Sequence, residues 1–329
     1  MSLKKVIACI RRNKAFLITS HTNMEGDALG SELAFYQLLK KLNKSAVIVN
    51  EDNLPPEYIF LPRKEKIIKY RDNLTPVRFD CFVTLDCSDL SRTGEVYRLN
   101  RVKKPILNID HHISNNNFGG VNWVEPKASS CSEMVYKLYQ AMRVPLDVHS
   151  ATALYTGIVA DTGSFRYSNT SAFTHKAVSK LLKFKLDIPG IYKHIYEDIP
   201  YEDMKLLSKI LPGMRREAEG KLIWFEVRQK MLRKTFSFDI SEYILSFGRA
   251  IKGAEVVVLF KENLGVKDEI RMNFRSQGKV DVNKIAQCFG GGGHKTASGA
   301  TTHGRIDDVR RKVLAKIREN LKGTVPADS

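Results

Sequence analysis

Residues 15–31 read AFLITSHTNMEGDALGS. Ala15–Ser20 is a short apolar run of the kind that forms a buried strand, and the polar stretch HTNMEGD ends it. From about residue 28 to 43 the apolar residues Leu29, Leu33, Leu38, Leu39 and Leu42 fall on one face of a helix. Asp27 is placed to cap that helix. A strand passing through a polar turn into an amphipathic helix is the opening of a βαβ unit.

The same rhythm continues on either side. Residues 3–12 form a short helix in this reading, and Ala46–Asn50 is the next strand. Cys81–Leu85 (CFVTL) is an apolar strand that runs into Asp86, and Pro105–Ile109 (PILNI) runs into Asp110. Helices are expected over 129–142 and 147–160, the second ending at Asp161. Alternating strands and helices predict an α/β domain built on a parallel sheet with helices on both faces. In such folds ligands bind at the carboxyl ends of the strands, where His21, Asp86 and Asp110 fall.

Residues 171–211 read as mostly helical, broken at Pro200. Beyond them the pattern changes, with strands at 221–227, 254–261 and 269–275 and helices at 239–249, 281–288 and 306–322. The expected division is a catalytic domain over 1–190, a helical linker over 191–211, a smaller α/β domain over 212–323 and a tail over 324–329.

The 329-residue chain carries 53 Lys and Arg against 36 Asp and Glu, a net charge of +17. That balance favours anionic partners such as nucleic acid or nucleotides, although solubility alone is the plainer explanation. The five cysteines (Cys9, Cys81, Cys87, Cys131 and Cys288) form no CxxC pair, which argues against a disulfide framework or a thiolate zinc site. Arg11 and Arg12 interrupt any apolar leader, and no run approaches the ~18 apolar residues of a membrane span. A cytoplasmic protein with no membrane association is expected.

Taken one at a time, the polar residues at the element ends have ordinary structural readings: His21 packed, Asp86 as a cap, Asp161 in a turn. Together His21, Glu25, Asp27, Asp86, Asp110, His111, His112 and Asp161 make a donor set of carboxylates and imidazoles without thiolate, suited to Mn²⁺, Mg²⁺ or Fe²⁺. So many carboxylates on one sheet edge repel unless cations neutralise them. Two divalent metals, Mn²⁺ before Mg²⁺, would bind a phosphate and activate water.

With these residues in hand the sequence resembles the DHH/DHHA1 phosphoesterases, in their short stand-alone branch. The resemblance rests on His21…Glu25-Gly26-Asp27-Ala28-Leu29-Gly30-Ser31, Val83-Thr84-Leu85-Asp86, Asp110-His111-His112 followed by Asn115, Asp161-Thr162-Gly163-Ser164, and Gly290–His294 with Ala297 and Gly299. It implies that one metal is held by His21, Glu25 and Asp86 and the other by Asp27, Asp86, His111 and Asp161, with Asp86 bridging. His112 would then serve the scissile phosphate as the catalytic group, oriented with His111 by Asp110. Glu25 stands where the family has aspartate, and Met24 where it has proline. The resemblance also assigns substrate binding to Arg275, Ser276 and the glycine run Gly291, Gly292, Gly293 and His294, with Arg92 and Asn115 lining the nucleotide cleft.

The function implied is 3′-5′ hydrolysis of short single-stranded oligoribonucleotides to nucleoside 5′-monophosphates, with 3′-phosphatase action on pAp. Hydrolysis of pApA or cyclic di-AMP is the alternative within this chemistry. A nucleotide-binding protein weakened by Glu25, or a pyrophosphatase or exopolyphosphatase, is the alternative outside it. Relatives of this branch are often dimers, which makes a homodimer part of the expectation.

Overall fold

The computed structural model describes residues 3–72, 77–231, 240–263 and 265–322. The expected tail 324–329, and Asp239 at the start of an expected helix, lie outside the described residues. The chain divides into two compact units, Met1–Asp198 and Ile199–Ser329.

The first unit runs α1 (Leu3–Arg12), β1 (Ala15–Thr19), α2 (Gly26–Lys41), β2 (Ser45–Asn50), β3 (Ile67–Lys69), β4 (Cys81–Leu85), β5 (Ile106–Asp110), β6 (Val121–Val124), α3 (Cys131–Met142), α4 (Val148–Asp161), α5 (Ala172–Leu181) and α6 (Ile188–Tyr196). Its sheet is parallel throughout, in the order β3-β2-β1-β4-β5-β6. The order reverses between β1 and β4. Residues of α1 to α6 join Phe16, Ile18, Val83, Leu107 and Ile109 in one large core. The alternate strand residues Leu17, Val49 and Phe82 face a smaller core with Phe79 and Val96.

That smaller core corrects one expectation. The second face of the sheet is covered by the 3₁₀ stretch Leu90–Asn100 and neighbouring loop residues, not by an α-helix. Gly94, at φ +61°, breaks this stretch, so no continuous amphipathic period develops. A second correction concerns Asp27. Glu25 holds the N-cap position of α2 and makes no side-chain cap bond, while Asp27 lies inside the first turn with its carboxylate turned elsewhere.

The second unit runs α7 (Tyr201–Ile210), β7 (Arg215–Glu217), β8 (Leu222–Val227), α8 (Ser241–Arg249), β9 (Val256–Glu262), β10 (Glu269–Ser276), α9 (Val282–Gln287), β11 (Gly292–Gly293), β12 (Ala297–His303) and α10 (Ile306–Lys322). Its sheet is mixed, in the order β11-β12-β10-β9-β8-β7, with only β8 and β9 parallel. β10 alternates buried and half-buried residues along its length, as a strand covered mainly on one face does. β12 (ASGATTH) has little apolar content and escapes a periodicity reading; it is a strand because it pairs with β10 over seven registered residues. Residues 191–211 contribute to both units: Ile191 and Ile195 pack in the first core, Leu207 and Ile210 in a core of the second. No helix among the described residues is long and apolar enough to cross a membrane.

Candidate metal centre

β1, β4 and β5 are parallel neighbours, so the residues after their carboxyl ends lie side by side: His21, Asp86 and the run Asp110-His111-His112. The reversal of strand order between β1 and β4 opens a crevice there, which is where open α/β sheets place ligands. α2 and α4 bring Asp27 and Asp161 to the same edge. Asp86 is 4% exposed and has φ +53°, a left-handed conformation that aspartate tolerates better than most side chains. Its amide donates to the Ile109 carbonyl at 3.0 Å, which holds the turn.

His111, 2% exposed, is the centre of the cluster. Its Nε2 lies 3.4 Å from Asp86 Oδ1, 3.6 Å from Asp161 Oδ2 and 3.7 Å from Asp27 Oδ2. Its Nδ1 is 3.2 Å from the Ala128 carbonyl, an acceptor only, so Nδ1 carries a proton and the neutral ring turns a lone pair on Nε2 towards the carboxylates. His21 repeats the device: Nδ1 sits 2.7 Å from the Thr22 carbonyl and Nε2 3.5 Å from Asp86 Oδ2.

With protons as the only cations, this arrangement distorts every acid in it. Burial, with repulsion from Asp86, pushes the Asp27 carboxyl well above its ordinary range, and burial pushes Asp161 up to about 6. Burial acts against the charged form of His111 as well, but Asp161, Asp86 and Asp27 outweigh it and raise the imidazole. At Asp86 burial is outweighed by His111, His21 and His112, which hold the carboxyl well below its usual value. Asp86 Oδ1 is buried and has no hydrogen-bond partner. A divalent cation fits these residues: two imidazole lone pairs, three converging carboxylates, an orphaned carboxylate oxygen and no thiolate.

His112 is held differently. Its Nδ1 is 2.7 Å from Asp110 Oδ1, and that same oxygen accepts the His111 amide at 2.8 Å. Asp110 is fully buried, yet the charge and hydrogen bond of His112 outweigh burial and hold its carboxyl at about 2. Asn115 Nδ2 donates to Asp110 Oδ2 at 2.6 Å and to Asn108 Oδ1 at 2.9 Å, so its amide supports the histidine pair from behind.

Three supports were invisible to sequence reasoning. Asp27 Oδ2 and Oδ1 accept from the Cys131 and Ser132 amides at 2.6 and 2.8 Å, which seats the carboxylate on the positive N-terminus of α3. Only the cap signature of that helix, Ser130 followed by Glu133, was there to be read. Asn169 Nδ2 donates to the Asp161 carbonyl at 3.0 Å and to its Oδ2 at 3.3 Å. Glu32, fully buried in α2, accepts from Asn50 Nδ2 at 2.7 Å, while Asn50 Oδ1 accepts from the Ser20 amide at 3.2 Å, next to His21.

The remaining candidates are held by other contacts. Glu25 is exposed at the N-cap of α2 and is absent from the close carboxylate–imidazole groups. Arg92 Nη1 reaches Ser88 Oγ at 3.4 Å, and its carbonyl accepts from Thr22 N at 2.7 Å, tying it to the His21 turn. In the second unit Arg275 pairs with Glu242. Ser276 is 2% exposed, and its hydroxyl donates to the Val280 carbonyl at 2.6 Å, closing a turn. The glycine run folds back on itself, pairing Gly292 with Gly299 and Gly293 with Ser298. A Cβ on Gly291 would lie 2.1 Å from the Gly299 carbonyl, and Gly293 has φ +138°. Close hairpin packing therefore requires glycine at both positions, whatever else they bind. His294 closes the hairpin, its amide donating to the Ala297 carbonyl at 2.7 Å.

Comparison with known proteins matches residues 15–158 to the DHH family, N-terminal domain, and residues 227–323 to the DHHA1 domain. A bifunctional oligoribonuclease and PAP phosphatase NrnA from Thermus thermophilus is 30% identical, over 92% of this chain and 89% of its own length. A Bacillus subtilis protein of the same name is 28% identical, over 97% of this chain and 98% of its own. Among solved structures, an exopolyphosphatase-related protein from Bacteroides fragilis superposes with a TM-score of 0.85 at 25% identity, covering 97% of both chains.

Proposed function

The chain belongs to the DHH family, and from that premise we propose that it is a metal-dependent phosphoesterase that cleaves short oligoribonucleotides to nucleoside 5′-monophosphates and removes the 3′-phosphate of pAp. The observation that carries this reading is the convergence of Asp27, Asp86 and Asp161 on His111 Nε2, a buried site whose charge calls for divalent cations. His21 and Asp86 would hold one ion, joined from the rim by Glu25, and Asp27, Asp86, His111 and Asp161 the other. Mn²⁺ is the cation expected, with Mg²⁺ as its replacement. Bound there, two such ions neutralise phosphate oxygens and lower the pKa of water.

The chain's own residues do the rest. Asp110 stays ionised and fixes His112 through Nδ1, which leaves Nε2 to protonate the departing oxygen. Asn115 keeps Asp110 from turning away. Arg275, the strand-end arginine of the second unit, is assigned to substrate phosphate, for which a guanidinium is the natural bidentate partner. The net charge of +17 suits anionic substrates.

The relatives named for oligoribonuclease and PAP phosphatase action support this choice of substrates. Purified protein with Mn²⁺ should release mononucleotides from di- to pentaribonucleotides and phosphate from pAp, and Asp86→Asn should abolish both. Rates on pApA, cyclic di-AMP and pyrophosphate, measured alongside, rank the alternatives. Inertness on every one of these, with Mn²⁺ still bound, would leave a nucleotide-binding protein, the reading that Glu25 at the rim favours.

A further inference from the structure

Cys9 on α1 and Cys81 at the start of β4 are 72 positions apart in sequence, and their sulfurs lie 3.8 Å apart. The other three thiols are placed differently. Cys87 and Cys131 are buried and donate to the Asp89 and Ile109 carbonyls, at 3.0 and 3.3 Å, and Cys288 is exposed. The pair is asymmetric. Cys81 is fully buried, whereas Cys9 is half-buried. Asn13 Nδ2 donates to Cys9 Sγ at 3.5 Å. The contact with Cys81, with help from Asn13 and Arg12, overcomes burial and lowers the Cys9 thiol to about 7, while the same contact and burial push Cys81 up. Cys9 is thus a nucleophile that a hydroperoxide can reach, and Cys81 is a resolving thiol already in contact with it.

We propose that Cys9 and Cys81 form an oxidation site, at which a hydroperoxide converts the thiol pair into an intramolecular disulfide that staples α1 to the start of β4. The Cys9 thiolate attacks one peroxide oxygen. The O–O bond breaks, hydroxide leaves and takes a proton, and Cys9 becomes a sulfenic acid. Cys81 sulfur then attacks the Cys9 sulfur. The S–S bond forms, the S–O bond breaks, and the hydroxyl leaves as water with the Cys81 proton. Two thiols lose two electrons, and one hydrogen peroxide becomes two waters. Cys81 lies at the far end of β4 from Asp86, roughly 16 Å away at the rise of a strand, so the staple leaves the metal cluster in place. Its effect falls on stability, through the loop it closes in the unfolded chain.

The test uses the full chain carrying Cys288→Ser, which removes the exposed competing thiol. Under hydrogen peroxide the thiols titrated after denaturation should fall by two, the mass by two hydrogens, and a peptide map should join the Cys9 and Cys81 peptides. The oxidised protein should melt several degrees above the reduced one. Adding Cys9→Ser should abolish the cross-link and the melting shift while phosphoesterase activity stays at the parent level. Oxygen addition at Cys9 without a cross-link, a cross-link through any other cysteine, or thiols that resist peroxide would each overturn the proposal.

Discussion

Asp86 puts one carboxylate among three imidazoles, His21 at 3.5 Å, His111 at 3.4 Å and His112 at 3.5 Å, and it does so from a left-handed backbone. Such a group is held in place by its neighbours as much as by itself. Asn169 is the clearest such neighbour, since its amide grips Asp161 at both the main chain and the carboxylate. Asn169→Leu should weaken Mn²⁺ binding by roughly 10- to 100-fold with the far-ultraviolet dichroism unchanged, as read by calorimetric titration. Glu32 permits a different test. Burial, with the Asp86 charge, pushes its carboxyl from the ordinary 4.5 to about 8, against the hydrogen bond from Asn50. Between those values the unfolded chain releases a proton that the native protein keeps. The group therefore adds nothing to instability below about 4.5 and costs stability increasingly up to about 8, by about 1.4 kcal/mol per pH unit at most. Glu32→Gln should gain on the wild type in thermal melts as the pH rises through this window. Ligand titrations common to both proteins cancel in the comparison, so a difference that stays flat with pH would mean that Glu32 is ionised throughout.

Among the elements, α2 and α4 decide the geometry of the site by how closely they approach. A Cβ on Gly30 would lie 2.4 Å from the Ala153 carbonyl, and one on Gly157 would lie 2.0 Å from Ser132 Oγ and 2.9 Å from Asp27 Oδ1. The glycines let α4 press α2 against the start of α3, where the Cys131 and Ser132 amides receive Asp27. Gly157→Ala should cost about 1–3 kcal/mol in denaturant unfolding and also weaken Mn²⁺ binding, because the added methyl displaces the carboxylate. Gly213→Ala, where a Cβ meets nothing within 4 Å, should change neither. Both helices were legible in the sequence, α2 from its apolar period. Their separation was not, because it depends on Gly30 facing the Ala153 carbonyl and Gly157 facing the Asp27 carboxylate, contacts between segments distant in the chain.

At the scale of the molecule, the two units carry separate cores, two around the parallel sheet and two around the mixed sheet. All the carboxylate and imidazole donors assigned to metal belong to the first. Mn²⁺ should therefore protect the amides of β1, β4 and β5 from hydrogen exchange and raise the transition of residues 3–198, by about 2.7 kcal/mol at a hundredfold excess over its dissociation constant. The transition of the second unit should not move. A shift of both transitions together would mean that the units unfold as one.

The sequence by itself determined the parallel α/β character of the first unit and the positions of His21, Asp86, Asp110, His111, His112 and Asp161. Strand and helix periods are local, and a polar residue just past an apolar strand lands at a sheet edge by geometry alone. It placed the major elements of the second unit as well, but left out β12, whose residues become a strand only by pairing with β10. Tertiary structure alone decided that Asp27 caps α3 and not its own helix, that Asn169, Glu32 and Asn50 support the cluster, and that Glu25 stays at the rim. Each of these depends on hydrogen bonds and burial between segments distant in the chain. No local pattern encodes such contacts, because the partner is chosen only when the strands and helices pack.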